Sequence, residues 1–113
     1  MKKKLEEIIK EPSIVFRVNQ TYKPDMTTEE IYEITRNSWV LGKRKFDAQY
    51  AFTVYRGNIE EVFKINSWNK AGDNRWEFEG EVAEKEVRNK YIDLSIKNFF
   101  KKGEANPIKY VNC

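Results

Sequence analysis

The stretch AQYAFTVYRGNIEEVFKINSWNKAGDNRWEFEG, residues 48–80, decides the fold of this chain. Its first part, residues 48–55, alternates side chains in a pattern that predicts a strand with one buried face. Gly57 and Asn58 follow, and both tolerate the positive φ of a two-residue turn. Residues 59–65 are β-branched and aromatic enough to return as an antiparallel strand. A tight β-hairpin is therefore predicted.

Beyond this hairpin, the sequence predicts a loop over residues 67–75 and a third strand over residues 76–82. The loop contains the turn formers Gly72, Asp73 and Asn74. Along the strand, apolar residues and glycine alternate with glutamates, whose charge would repel phosphate from that face. These glutamates are Glu77, Glu79 and Glu81.

Upstream of residue 48, the pattern predicts a helix, a strand and a second helix. Residues 2–10 have apolar side chains at helical spacing, and residues 13–19 have the composition of a strand. Thr27 and Glu30 form a capping box that begins the second helix, which extends to about Asn37.

Downstream of residue 82, helical composition returns over residues 83–90 and continues over residues 94–102. Gly103 suits the position just after a helix end. The last residues, after Pro107, predict a short terminal strand, because proline is tolerated where a strand begins.

Composition indicates one folded domain over residues 1–113, with residues 1–12 as an N-terminal helical extension. The chain has 113 residues, of which 40% are hydrophobic and 14% aromatic, which suffices for a single modest core. The formal charge of +3 from 21 basic and 18 acidic residues is weak. Any anion site therefore requires local clustering of cations.

The chain contains no histidine and one cysteine, Cys113. Because these sites need histidine or several cysteines, residues 1–113 cannot form a Ser-His-Asp or Cys-His catalytic site, an HExxH metalloprotease site or a cysteine zinc site. We expect no metal and no cofactor. No apolar run is long enough to span a membrane, and Glu6 and Glu7 interrupt the segment where a signal peptide would need its apolar core. We therefore expect a soluble cytoplasmic protein.

The order of elements predicts the fold class α+β. Hairpins take the place of βαβ crossovers, which argues against a doubly wound sheet. Curling would protect the sheet edges. The prediction is a small curled, mostly antiparallel sheet or open β-barrel with two or three packed helices.

Two segments, RWEFEG at residues 75–80 and NPIKYVN at residues 106–112, resemble RWxFxG and NPIxYVN segments of small uncharacterised bacterial and phage-borne proteins. The arrangement is also similar to the PUA-like barrels, which include ASCH, EVE and YTH domains. This resemblance implies a barrel that binds RNA, modified bases or nucleotides in a pocket with aromatic walls. The candidates for such walls are Ser38, Trp39, Trp68 and Trp76.

We expect a non-enzymatic module that binds nucleic acid or a nucleotide by base stacking on tryptophan and by a basic cluster. The run Lys43, Arg44 and Lys45 follows Trp39, and basic residues beside aromatic ones suit both phosphates and base faces. The predicted ligand-binding residues are Arg36, Asn37, Ser38, Trp39, Lys43, Arg44, Trp68, Arg75 and Trp76. Trp39 could equally be a core residue between the helix and the sheet.

Other functions stay open at this point. A narrower form of the nucleotide-binding hypothesis is a phage-type sponge or anti-defence protein that sequesters a nucleotide signal. The alternative class is a protein–protein interaction module that inhibits or scaffolds a host partner, because Trp, Tyr and Arg are common interface anchors. A nucleotide hydrolase is the least favoured class, since it would depend on pairs such as Glu60 with Glu61 or Glu77 with Glu79. The sequence does not indicate the oligomeric state.

Overall fold

The computed structural model of the protein describes residues 4–101, 103–104 and 106–113. These residues form three α-helices and six strands, with 3-10 turns at Lys43–Asp47 and Lys97–Phe99. Within this part of the chain, no helix has both the length and the apolar character needed to cross a membrane. The helices are α1 (Leu5–Ile8), α2 (Thr28–Arg36) and α3 (Lys85–Tyr91), and the strands are β1 (Ser13–Arg17), β2 (Trp39–Val40), β3 (Tyr50–Tyr55), β4 (Asn58–Gly72), β5 (Arg75–Val82) and β6 (Ile108–Val111).

The six strands form one sheet in the order β2-β5-β4-β3-β1-β6. Strands β1 and β3 are parallel, and every other neighbouring pair is antiparallel. The predicted α+β class with a curled, mostly antiparallel sheet is therefore confirmed.

Aromatic contacts between distant strands show how strongly the sheet curls. Strands β1 and β5 are three positions apart in the sheet, which would separate them by ~14 Å if the sheet were flat. Yet the rings of Phe16 in β1 and Phe78 in β5 have centroids only 6.1 Å apart. The ring centroids of Trp39 in β2 and Phe16 are 5.1 Å apart. The sheet is thus a half-barrel that curls toward the face carrying these rings.

Residues 41–47 connect the two edges of the half-barrel. They follow β2 at one edge and reach β6 at the other. The Gly42 N–H donates to the Tyr110 hydroxyl at 3.2 Å. Arg44 Nε donates to the Cys113 carbonyl at 2.8 Å, and its guanidinium lies 4.5 Å from the centroid of the Tyr110 ring. Side-chain contacts therefore hold together edges that backbone pairing does not join.

Helix α2 covers the outer edge of β5, where β2 is too short to pair with it. Arg36 Nε donates to the Phe78 carbonyl at 3.0 Å, and the Gly80 N–H donates to the Tyr32 hydroxyl at 2.9 Å. These bonds occupy backbone groups that would otherwise offer an open edge to another chain. The predicted capping box is confirmed, since Thr27 and Glu30 exchange hydrogen bonds at the start of α2.

The sheet has a core on each face, so the prediction of one buried face for residues 48–55 is wrong. Side chains of β3 on both faces are buried, because helices α1 and α3 cover one face and α2 lies on the curled face. The first core includes Val15, Phe52, Val54, Val62, Tyr91 and Ile96, and the second includes Ile14, Phe16, Ile31, Ala51, Phe63 and Phe78.

The predicted loop over residues 67–75 is also wrong. Strand β4 continues to Gly72 and pairs with β5 along its length, so the turn contains only Asp73 and Asn74. Register shifts between Ile65 and Ser67 and between Lys70 and Gly72 interrupt the alternation of side chains. A bulge hides a strand from pattern reading because it breaks the period of two.

Both predicted terminal helical segments are shorter than expected. Residues 94–102 contain only the 3-10 turn Lys97–Phe99, and Lys102 lies outside the described residues. The Ile96 N–H donates to the Gly57 carbonyl at 2.7 Å, which ties this segment to the β3–β4 turn instead of a helix. The predicted helix over residues 2–10 is the single turn α1, and residues 1–3 are outside the description. The terminal strand after Pro107 is confirmed as β6.

Substitution of Gly80 by Ala should destabilise the protein. An added Cβ would collide with the carbonyl oxygen of Lys64, a backbone atom of the paired strand, so the two strands would have to shift apart. We expect the free energy of unfolding in urea to fall by ~2 kcal/mol or more, as overpacking usually costs. Gly42→Ala is the matched control, since nothing lies within 4 Å of its Cβ position and its φ is −91°. Equal losses in the two variants would contradict this description.

Candidate functional site

Trp76 lies where the curled interior reaches the surface. It is paired across β2 with Trp39 and across β4 with Lys70. Phe78, two residues further along β5, is on the same face and is fully buried. Trp76 itself is half-buried. The ring therefore continues the aromatic interior outward to solvent.

Cations and a second ring surround Trp76. Lys45 Nζ lies 3.8 Å from the Trp76 ring centroid and 4.0 Å from that of Phe46. The Phe46 and Trp76 rings meet edge to face, with centroids 5.9 Å apart. Lys70 Nζ lies 5.9 Å from the Trp76 ring centroid. Arg75 precedes Trp76 in β5 and therefore projects from the opposite face at the same end of the sheet. We call these residues together the Trp76 patch: Lys45, Phe46, Lys70, Arg75 and Trp76.

Lys45 is a buried cation. Its residue is 3% exposed, and its ammonium donates to the Gly42 carbonyl at 3.2 Å. Burial lowers the pKa of Lys45, because removing the ammonium from water disfavours its charged form. The two rings offset part of this cost through cation–π attraction.

The cations at this end of the sheet lack acidic partners. Among the described residues, no Asp or Glu carboxylate oxygen lies within 4.0 Å of the charged nitrogens of Lys43, Lys45, Lys70 or Arg75, whereas Arg44 Nε is hydrogen-bonded to the Cys113 oxygen. By contrast, Arg88 forms a bidentate pair with the buried Glu61 at 2.8 and 3.0 Å. Cations therefore outnumber acidic residues in this region, where Asp47 and Asp73 are the carboxylates of the two turns, although the whole chain is nearly balanced.

Two apolar side chains beside this cationic region are strongly exposed. Phe46 is 60% exposed and Val40 is 63% exposed, the highest values for large hydrophobic residues in the described part of the chain. Exposed apolar groups clustered beside charged ones are typical of binding surfaces. The 3-10 turn Lys43–Asp47 positions both Phe46 and the basic run, because it packs over Trp76 on one side and Tyr110 on the other.

Several predicted residues come together here. Trp76 and Arg75 belong to the patch, and Lys43 and Arg44 lie on the adjoining 3-10 turn. Arg75 Nη1 donates to the Ser38 carbonyl at 3.2 Å, so Ser38 supports the patch through its backbone.

Other predicted residues lie elsewhere or make internal contacts. The Arg36 guanidinium faces two glutamates of β5, with Nη1 3.6 Å from Glu77 Oε2 and Nη2 4.0 Å from Glu79 Oε1. The Asn37 amide donates to the Glu33 carbonyl.

Two of the predicted tryptophans pack against interior rings. Trp39 packs on Phe16, and its Nε1 donates to the Thr35 carbonyl at 2.8 Å. The centroid of the Trp68 ring lies 5.7 Å from that of the buried Phe78.

Three residues of the patch are absent from the predicted ligand-binding set. Lys45 is the last residue of the basic run and Phe46 follows it, so extending the predicted set two positions beyond Arg44 would have found both. Lys70 carries no such signal, since its place opposite Trp76 depends on the register of β4 and β5.

Substitution of Lys45 by Met should stabilise the fold by about 1 kcal/mol, because it removes a buried charge that has no carboxylate partner. The lowered pKa also predicts the pH dependence. In the unfolded chain the Lys45 ammonium keeps its proton up to the ordinary pKa of 10.5, whereas in the folded chain it loses the proton at a lower pH. The wild type should therefore gain stability relative to the variant as pH rises from neutrality toward 10.5.

Urea unfolding of both proteins at a series of pH values measures this difference. Lys43→Met is the control, because it removes a lysine from the same 3-10 turn but from an exposed position. A marked loss of stability in Lys45→Met at neutral pH would show that the ammonium is a structural element instead.

Comparison of the chain with protein-family models, with curated proteins and with solved structures finds no match in any of the three. The geometry of the half-barrel and of the Trp76 patch is therefore the basis for the functional proposal that follows.

Proposed function

We propose that the chain is a non-enzymatic module that binds single-stranded nucleic acid or nucleotides at the Trp76 patch. The observation that carries this proposal is a group of cations without carboxylate partners around two aromatic rings, at an end of a curled sheet. Single-stranded ligands need both components, because bases stack on rings while cations neutralise phosphates.

Phe46 is the ring best placed for stacking, because it is 60% exposed while Lys45 lies close to both rings. Lys43, Arg44, Lys70 and Arg75 are exposed and would meet the phosphates on either side. The buried Lys45 adds attraction at short range, since an approaching anion compensates a charge that the fold leaves unpaired. The glutamates of β5 are paired with Arg36, which keeps Arg36 out of this interface.

The segments that resemble parts of small uncharacterised bacterial and phage-borne proteins lie at this surface, and the similarity of the arrangement to PUA-like barrels implies the same class of ligand. The RWEFEG segment lies in β5, beside the patch, and the NPIKYVN segment contains β6, whose Tyr110 anchors the basic turn. Both segments thus support the surface that we assign to the ligand. A PUA-like ancestry and a phage-type sponge or anti-defence role remain part of the proposal, and the partner would be an RNA, a modified base or a nucleotide.

A protein–protein interaction module is the second candidate, and the exposure of Val40 and Phe46 favours it. Aromatic and arginine side chains at such a surface are common anchors for a protein partner. The hydrolase alternative has less support. Glu61 is occupied by Arg88, Glu77 lies beside Arg36, and Glu60 accepts hydrogen bonds from Tyr22 and Asn58.

Replacement of Phe46 by Ala should weaken binding of a single-stranded 12-mer about 5- to 150-fold, since stacking contributes ~1–3 kcal/mol per base. Tryptophan fluorescence titration in low salt measures the dissociation constant, with Trp76 as the nearby reporter. Leu94→Ala is the control, because Leu94 is also exposed but lies outside the patch. A flat titration of the wild type with RNA, DNA and nucleotides would count against the proposal.

Replacement of Lys70 by Gln should reduce the slope of log K against log salt concentration by ~0.7, the contribution of one phosphate contact to a single strand. The matched control is Lys85→Gln in α3, which should leave the slope unchanged. A steep slope in the wild type distinguishes nucleic acid from a mainly apolar protein partner. Binding of a protein partner without salt dependence would favour the second candidate.

A further inference from the structure

A groove separate from the Trp76 patch lies at the end of β1. Two cavities of about 530 and 660 Å³ lie side by side, since Arg17 and Asn19 line both of them. Each volume lies within the ~300–1,000 Å³ that is usual for small-molecule sites. We call this pair of cavities the Arg17 groove, and it has no lining residue in common with the Trp76 patch.

One end of the Arg17 groove is cationic. Arg17, Arg56, Lys97 and Lys101 line it together with the Phe100 ring. Within the described residues, no carboxylate oxygen lies within 4.0 Å of the charged nitrogens of these four side chains. Four positive charges around one cavity favour a ligand that carries several negative charges.

Arg17 is held in place between the two cavities. Its Nη1 donates to the Glu104 carbonyl at 3.1 Å and to the Asn106 carbonyl at 3.3 Å. Its guanidinium lies 4.5 Å from the centroid of the Phe100 ring. These contacts fix the cation without neutralising it, so its remaining donors are pre-organised for an anion.

The β3–β4 turn places Arg56 at the cationic end of the groove, in a backbone conformation that arginine rarely adopts. Arg56 and Gly57 have φ values of +49° and +82°, as the central residues of a type I′ turn do. Asn, Asp or Gly is preferred at the first of these positions, and arginine is disfavoured there. The Arg56 N–H donates to Asn19 Oδ1 at 2.8 Å, which holds the turn. A residue kept at a strained position beside a cationic cavity points to a functional reason.

The other end of the groove has a different character. Trp39 and Pro107 line it with the polar side chains of Gln20 and Thr21, and Glu104 also faces this cavity. Among the described residues that line this end, Arg17 is the only cation, so this end is less suited to phosphate than the first. A flat ring beside amide and hydroxyl groups suits a nucleobase instead, which offers both a stacking face and hydrogen-bonding edges.

We propose that the Arg17 groove binds a free nucleoside polyphosphate, with its phosphates among Arg17, Arg56, Lys97 and Lys101 and its base beside Trp39. The proposal is independent of the Trp76 patch. The charge of a nucleoside diphosphate or triphosphate matches the four cations, and the two adjacent cavities offer separate places for the phosphates and the base.

Calorimetric titration with ADP, adenosine and pyrophosphate tests this assignment. We expect ADP to bind at least tenfold more tightly than either fragment, because only ADP reaches both ends of the groove. Arg56→Asn is the decisive variant. It should weaken ADP binding at least fivefold while raising the urea midpoint of unfolding, since asparagine suits the turn better. A merely structural arginine would not give these opposite changes.

Two control variants separate the groove from the Trp76 patch. Lys85→Gln should change no affinity. Lys70→Gln should weaken binding at the patch, measured with an oligonucleotide, while leaving the tighter ADP binding of the groove unchanged. Loss of ADP binding in Lys70→Gln would assign the nucleotide to the patch and overturn the proposal. Equal affinities for ADP and pyrophosphate, or no ADP binding at millimolar concentration, would overturn it as well.

Discussion

The packing of Phe16 against rings from distant strands is the contact on which the remaining structure depends. The ring centroid of Phe16 lies 5.1 Å from that of Trp39 and 6.1 Å from that of Phe78, and only a curled sheet allows these distances. A flat sheet would leave these rings in water and lose their buried apolar area. Curling also brings β2 near β6, so that residues 41–47 can span the gap. Closure of the half-barrel is therefore a consequence of aromatic packing.

The segment that spans the two edges also carries the cations of the candidate site. Gly42 and Arg44 contact Tyr110 and Cys113 on one side, and Lys45 lies against Trp76 on the other. The same fold therefore closes the sheet and concentrates positive charge. Burial of Lys45 costs stability that a purely structural turn would avoid, and such costs are typical of residues retained for function.

Features that depend on local chemistry are predictable from this sequence, and features that depend on register are not. The capping box of α2, the β3–β4 hairpin and the terminal strand follow from short patterns with direct physical causes. The exact turn residues do not, since Arg56 and Gly57 form the centre of the turn and the predicted pair was Gly57 and Asn58. The length of β4 does not, because bulges break its alternation and polar residues occupy its outer half. For the site, the basic run was predictable, whereas the pairing of Lys70 with Trp76 and of Arg36 with Glu77 required the three-dimensional arrangement.

Nuclear Overhauser effects between aromatic rings in protein labelled selectively on Phe and Trp test the curled sheet most directly. Centroid distances of 5.1 and 6.1 Å place ring protons of Phe16 within range of both Trp39 and Phe78. The half-barrel predicts cross-peaks from Phe16 to both rings. Cross-peaks that connect only neighbouring strands, with none from Phe16 to Phe78 or Trp39, would contradict the curl and with it the placement of the Trp76 patch.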